Sequence, residues 1–219
     1  MRRNHRKHCA NVVWCLAIAA VVFVASRATA DDSASEWMQL FNGQDLTGWK
    51  ANEKPDQWKV EEGAIVAHGD RSHLFYVGAD PAAPPEFKNF HFRAELMTLP
   101  NSNSGIYFHT KWQNDGWPQT GYECQVNNSH ADPVRTASLY NVRKNFVPPA
   151  KDNEWFTEEI IVEGRHIVTK VNGLTIIDYN EPEVLDRVFP KLESGTFALQ
   201  AHDPGSTAKF RKIEVKRLP

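Results

Sequence analysis

The sequence predicts an all-β protein, a sandwich of two antiparallel sheets with little helix, and three observations predict it. Apolar and polar residues alternate with a period of two almost everywhere after residue 55, the spacing of a strand with one buried face. No stretch of ten or more residues carries a helical stripe. Turn residues recur between short alternating runs, at Glu62-Gly63, Gly164-Arg165, Asn172-Gly173 and 203–206, and many short strands at such intervals pack as a sandwich.

The elements follow in order. LFNGQDLTGW at 40–49 reads as a fold element, with Asn42-Gly43 as a turn pair, Leu40, Phe41 and Leu46 as core candidates, and Gly48 letting Trp49 pack closely. Residues 58–60 and 64–67 flank Glu62-Gly63 as a hairpin. In the next strand Phe90, Phe92, Ala94 and Leu96 face inward while His91, Arg93 and Glu95 face out. Asn103-Ser104-Gly105 has the character of a bulge tilting the strand that carries Tyr107 and His109. Residues 156–163, 166–171 and 174–179 form a three-stranded meander, its last turn the two-residue Asn172-Gly173. The segment 181–192 is suited to one short helix, and strands over 196–202 and 209–216 close the chain. Loops fall at 77–86, 110–120, 127–136 and 143–154.

Residues 1–30 read as a secretory signal peptide. Arg2, Arg3, Arg6 and Lys7 precede an apolar run over 12–25, and Ala28-Thr29-Ala30 is a small-residue cleavage site. An apolar run of about 14 residues is short of the roughly 20 that span a bilayer, so no membrane anchor is expected after cleavage. The exported chain, 31–219, is the length of one domain. Cleavage removes five basic residues and no acidic one, taking the net charge from −2 to −7. A nucleic-acid partner is disfavoured, because phosphate binding needs a basic surface. Cys9 and Cys15 leave with the signal, so Cys124 has no partner for an internal disulfide and reads as a small buried hydrophobe on the apolar face of its strand, with Tyr122 and Val126.

Alternation also places Tyr107, His109, Glu123, Gln125, Gln200 and His202 on one sheet face. They come from three short motifs, NSGIYFH at 103–109, GYECQV at 121–126 and LQAHD at 199–203. A polar face of that kind implies a ligand. The histidines elsewhere, His68, His73, His91, His130 and His166, lack the short spacing of a zinc site. No metal or other cofactor is predicted, although His109, His202 and Glu123 on separate strands would leave no linear metal pattern.

With WKVEEGAI at 58–65, SLY at 138–140, NEWF at 153–156, VNG at 171–173 and KFRKI near the end, these motifs resemble the 3-keto-disaccharide hydrolase domain family over residues 40–218. The resemblance implies a concanavalin-like jelly roll, export to the periplasm or medium, and an oligosaccharide or glycoside substrate. Members often carry arginine where this chain has His109, which exchanges a permanent cation for a group titrating near neutrality.

Glycoside hydrolysis by the usual route needs two carboxylates flanking the bond, and the strand over 121–126 with Asn127 offers only Glu123 among Gln125 and Asn127. A 3-keto sugar needs less. Its ketone acidifies the C2 proton, a base removes it, the enolate expels the C1 substituent, and water adds back. The demands are one base and an electropositive group at the enolate oxygen. Glu123 is the first choice of base, with His202 as the alternative or as the acid for the departing oxygen, and His109 or Arg211 at the enolate. Asn103, Tyr107, Gln125, Tyr140 and Gln200 would orient hydroxyls, and Trp112 or Trp117 would stack on a sugar ring. Each has a plainer reading: Glu123 fixing strand register, His202 anchoring a loop, His109 solvated, Arg211 paired with an acid, the tryptophans as packing anchors. A carbohydrate-binding module without chemistry is the rival to the enzyme.

Overall fold

In a computed structural model of the protein, the described residues are Met1, 36–183 and 194–219. The chain divides into two units, Met1–Ala30 and Asp31–Pro219, and the fold below is that of the second. The expected signal peptide lies outside the described residues apart from Met1, as does most of the segment read as a short helix.

The strands are β1 (Met38–Gln39), β2 (Trp49–Ala51), β3 (Trp58–Glu61), β4 (Ala64–His68), β5 (Ser72–Tyr76), β6 (Phe90–Thr98), β7 (Ser104–Thr110), β8 (Tyr122–Val126), β9 (Phe156–Glu163), β10 (His166–Val171), β11 (Leu174–Asn180), β12 (Thr196–Ala201) and β13 (Thr207–Arg217). Among the described residues the helical content is one 3-10 turn, Pro55–Gln57. An eight-stranded sheet runs β11-β10-β9-β6-β13-β4-β3 with β1 also on β13, and a five-stranded sheet runs β2-β5-β12-β7-β8. All pairings are antiparallel.

Local chemistry explains the hairpins. Glu62 and Gly63 both take positive φ between β3 and β4, and Asn172 and Gly173 do the same between β10 and β11. Two left-handed residues in succession make the turn whose twist matches that of the strands.

The core lies between the sheets. β6 alternates strictly between buried and half-buried residues, sending Phe90, Phe92, Ala94 and Leu96 inward to meet Phe108, Phe197 and Leu199. The Phe92 and Phe197 rings are 4.8 Å apart, and Phe90 meets Phe197 edge-on at 5.0 Å. Each such side chain stabilises the fold by about 1.5–3 kcal/mol through burial. Cys124 points into this core as its alternation requires, and its thiol donates to Glu158 Oε1 at 2.9 Å. Glu158 is wholly buried, and burial pushes its carboxyl up to about 8.

The outer face of the larger sheet carries a charge ladder: His91 with Glu159 at 2.7 Å, Arg93 with Glu214, and Arg211 and Lys212 on Glu95. The outer face of the smaller sheet carries the cavity.

The expected bulge at 103–105 is not there, since β7 pairs with β8 in unbroken register from Ser104 to Phe108. The irregularity falls four residues later. Between the pairs Thr110↔Thr196 and Tyr107↔Ala198, two residues of β7 oppose one of β12, and His109 takes φ 52.

Candidate functional site

Four strand residues converge on the outer face of the smaller sheet because β7, β8 and β12 are neighbours in it. Tyr107 is opposite Glu123 on one side and Ala198 on the other, and alternation puts Gln125 and Gln200 on the same face. With Asn103, Trp117, Asp132, Tyr140 and His202 they line a cavity of about 620 Å³, a volume ordinary for small-molecule sites.

Glu123 lines the cavity half-buried. Gln200 Nε2 donates to its Oε1 at 2.9 Å and to the Tyr107 hydroxyl at 3.1 Å. Burial pushes the Glu123 carboxyl up to about 7, against the hydrogen bonds from Tyr107 and Gln200 and with help from the charge of Asp132. It therefore gains or loses a proton near neutrality. Space for it comes from Gly105, where a Cβ would stand 2.5 Å from Glu123 Oε1. That glycine has no positive φ, so close approach of the carboxylate is what requires it.

His202 stands just past β12. Its Nδ1 is 2.8 Å from Asp203 Oδ2 and its Nε2 3.2 Å from Asn103 Nδ2. Asp203 is held by the hydroxyl of Ser206 at 2.6 Å and the backbone N–H of Gly205 at 2.9 Å. Burial works against the Asp203 anion, but Ser206, His202 and Gly205 together hold its carboxyl below the usual range.

Tyr140 reaches the cavity because residues 137–140 run along the free edge of β8. Tyr140 N donates to Glu123 O, Gln125 N to Ser138 O, and Ala137 N to Gln125 O, at 2.8–2.9 Å. Its hydroxyl faces Asp132. Asp132 is thus a second carboxylate at a cavity where the strand alone offered one.

Trp117 forms one wall, its ring tilted on His202 at 5.3 Å and edge-on to His73 at 5.4 Å. Glu53 braces this loop by accepting from Gly116 N at 3.1 Å while paired with Arg71. His73 sits beneath, wholly buried, with neither ring nitrogen hydrogen-bonded among the described residues. Burial drives its pKa down to about 3, so its imidazole is neutral. Three buried amide oxygens, Asn103 Oδ1, Gln125 Oε1 and Gln200 Oε1, likewise lack partners among the described residues.

Three expected site residues lie elsewhere. His109 is turned to the core side by the bulge, where its ring meets Phe90 at 5.5 Å and its Nε2 bonds Lys88 O at 2.8 Å. Arg211 points from the outer face of the other sheet, its Nε 2.7 Å from Glu95 and its guanidinium 3.9 Å from the Trp155 ring. Trp112 covers the apolar end of the site face, packed on Phe75 at 5.2 Å under Lys50. Neither His109 nor Arg211 can meet a ligand in the cavity.

Sequence reasoning missed Gly105, His73, Asp132 and Asp203. Asp203 had a signal: an acid directly after a histidine at a strand end, read only as the start of a turn. For Asp132 and His73 no linear pattern exists, because one arrives on a loop and the other on β5. Among the described residues no three His, Cys, Asp or Glu side chains cluster closely enough to hold a metal ion.

The profile of the 3-keto-alpha-glucoside-1,2-lyase-like domain matches residues 36–216. No curated protein matches the chain. Among solved structures, a Parabacteroides distasonis ATCC 8503 protein whose description proposes a glycosyl hydrolase aligns over 84% of this chain and 94% of its own, with TM-score 0.70 and 22% identity. A Bacillus subtilis carbohydrate binding module aligns over 78% and 96%, with TM-score 0.56 and 16% identity. The carbohydrate recognition domain of Emp46p aligns over 84% and 100%, with TM-score 0.53 and 12% identity. These likenesses establish the fold, a jelly-roll β-sandwich of two antiparallel sheets.

Proposed function

The chain belongs to the 3-keto-alpha-glucoside-1,2-lyase-like domain family, and from that membership we propose that it cleaves the glycosidic bond of a 3-keto-glycoside or 3-keto-disaccharide by elimination. The observation that carries the proposal is the pairing, in one cavity, of a carboxyl poised near neutrality with an imidazole. In the reaction one group takes the C2 proton, the electrons pass through the enolate, and the C1–O bond breaks. The other group protonates the departing oxygen. The products are an unsaturated ketone and an alcohol, and later addition of water to the ketone makes the sum a hydrolysis. One proton leaves carbon and one reaches oxygen, so no external oxidant or reductant enters.

The remaining lining residues suit a polyol. Asn103, Gln125 and Gln200 offer buried amide oxygens that hydroxyl groups would satisfy, and an unsatisfied buried acceptor costs about 1–3 kcal/mol until it finds a donor. Trp117 offers a ring face at the rim. The enolate falls to the Tyr140 hydroxyl in place of the displaced His109 and Arg211, the amide N–H groups of Gln200 being given to Glu123 and Tyr107. Export belongs to the same reading, on the basic and then apolar composition of residues 1–30.

The test is incubation of purified protein with p-nitrophenyl 3-keto-glucoside, following nitrophenol and the unsaturated ketone. Release is expected, with Glu123→Gln and His202→Gln each slower by about 10²–10⁴-fold. Full turnover by both variants would refute the assignment. The amide-rich wall also favours a second reading, a sugar-binding module, which binding without release by the wild-type protein would establish.

A further inference from the structure

His202 is held in a closed ring of hydrogen bonds. The backbone N–H of Asn103 donates to Ser206 Oγ at 2.8 Å, and Ser206 donates to Asp203 Oδ2 at 2.6 Å. The same Oδ2 is 2.8 Å from His202 Nδ1, and His202 Nε2 is 3.2 Å from Asn103 Nδ2. The ring starts and ends on Asn103, so the first residue before β7 and the loop between β12 and β13 fix each other.

The donors decide the proton on the imidazole. An ionised carboxylate only accepts, so the nitrogen facing Asp203 carries the hydrogen. The neutral imidazole then presents its lone pair at Nε2, which lies beside the Asn103 amide. His130 adds to the same carboxylate. Its Nδ1 accepts from Asp132 N at 3.1 Å, which leaves its hydrogen on Nε2, 3.9 Å from Asp203 Oδ2.

We infer that Asp203 is a positioning residue that fixes His202 as the Nδ1–H tautomer and makes its Nε2, at the cavity wall, the base that removes the C2 proton, with Glu123 as the acid for the departing oxygen. This rests on the glycoside reading and inverts the first choice made from sequence. The geometry favours it because His202 has a partner that holds and stabilises the imidazolium once formed, while among the described residues Glu123 has none of opposite charge. Burial of Glu123, which favours its protonated form, agrees. The titratable groups around His202 are Asp203, His130, Glu123, Asp132, Tyr140 and His73.

Two measurements test it. The first needs no substrate: ¹⁵N-histidine correlation spectra at pH 8, with His202 assigned by its loss in His202→Gln. The wild-type His202 is expected as the Nδ1–H tautomer, and Asp203→Asn, whose amide can donate to Nδ1, is expected to switch it to Nε2–H. A wild-type Nε2–H tautomer would overturn the inference. The second is exchange of the C2 hydrogen with D₂O in 3-keto-1,5-anhydroglucitol, which has no group to expel at C1. Exchange should survive in Glu123→Gln, fall about 10²–10⁴-fold in His202→Gln, the span of general base catalysis, and fall similarly in Asp203→Asn with KM changed less than about threefold. A purely structural role for Asp203 would lower the folded fraction without switching the tautomer. Exchange lost in Glu123→Gln and kept in His202→Gln would also overturn the inference. With the tautomer as assigned and no exchange even in wild-type protein, the glycoside reading fails and the positioning by Asp203 stands.

Discussion

Replacing Glu158 by glutamine should change how stability depends on pH, because Glu158 is an ionisable group sealed between the sheets. Its only hydrogen bond among the described residues comes from the Cys124 thiol, and Oε2 has none. Burial raises its pKa in the folded state from 4.5 to about 8. Below pH 4.5 the group is protonated in both folded and unfolded chains and carries no penalty. Between pH 4.5 and 8 the unfolded chain ionises while the folded one stays neutral, so folding loses about 1.4 kcal/mol for each pH unit. Above pH 8 the loss levels off at about 5 kcal/mol, a large share of the 5–15 kcal/mol typical of a domain. Glutamine keeps the shape and the oxygen that accepts from Cys124 but cannot ionise. Urea unfolding at pH 5, 7 and 9 should show the stability of the variant gaining on wild type by several kcal/mol from the lowest pH to the highest. An offset independent of pH, in either direction, would refute the argument, since a packing change or an orphaned amide has no such slope. Glu123, raised to about 7 by burial, adds the same slope over a narrower window, so Glu123→Gln is the natural background for the comparison.

Gly105→Ala should retain the fold at a cost of about 1–2 kcal/mol, because the backbone there accepts alanine, yet lose about 10²-fold in turnover, because the new methyl stands 2.5 Å from Glu123 Oε1; steady-state rates and thermal melts read both. Trp117→Ala should uncover His73 and let its pKa climb from about 3 toward the ordinary histidine range, followed by NMR titration. Arg211→Ala should cost about 1 kcal/mol through loss of the half-exposed pairing with Glu95 and the contact with Trp155, with turnover unchanged. The pH profile of 3-keto-glycoside turnover should carry an inflection near 7 that Glu123→Gln removes.

The hairpins at Glu62-Gly63 and Asn172-Gly173 were legible because a two-residue turn writes its backbone angles into its residues. The site face was legible for the same kind of reason: period two determines which side chains share a face once the strands pair. It named Tyr107, Glu123, Gln125, Gln200 and His202, and these five line the cavity. It failed at His109, where one extra residue in β7 reverses the alternation. A bulge needs its partner strand to be seen, and β12 lies some 90 residues away in sequence. Arg211 was assigned to the site without regard to its sheet. Alternation reports a face, not which of two sheets the face belongs to.

Two of the residues that sequence could not place, Asp132 and Asp203, carry charge on loops. β7, β8 and β12 supply a hydroxyl, amides and a single carboxyl, a set that a sugar-binding module would serve equally well. The proposed elimination turns on what two loops add. The 127–136 loop brings Asp132 against Tyr140, and the turn after β12 brings Asp203 against His202. Shortening the loop or replacing Asp203 would leave the sheet and its amide acceptors in place. On the elimination reading, a jelly roll passes between binding and catalysis without altering its strands. The decisive comparison is within this one protein: Asp203→Asn should still bind the sugar while its turnover falls, separating the groove the strands make from the base the turn makes.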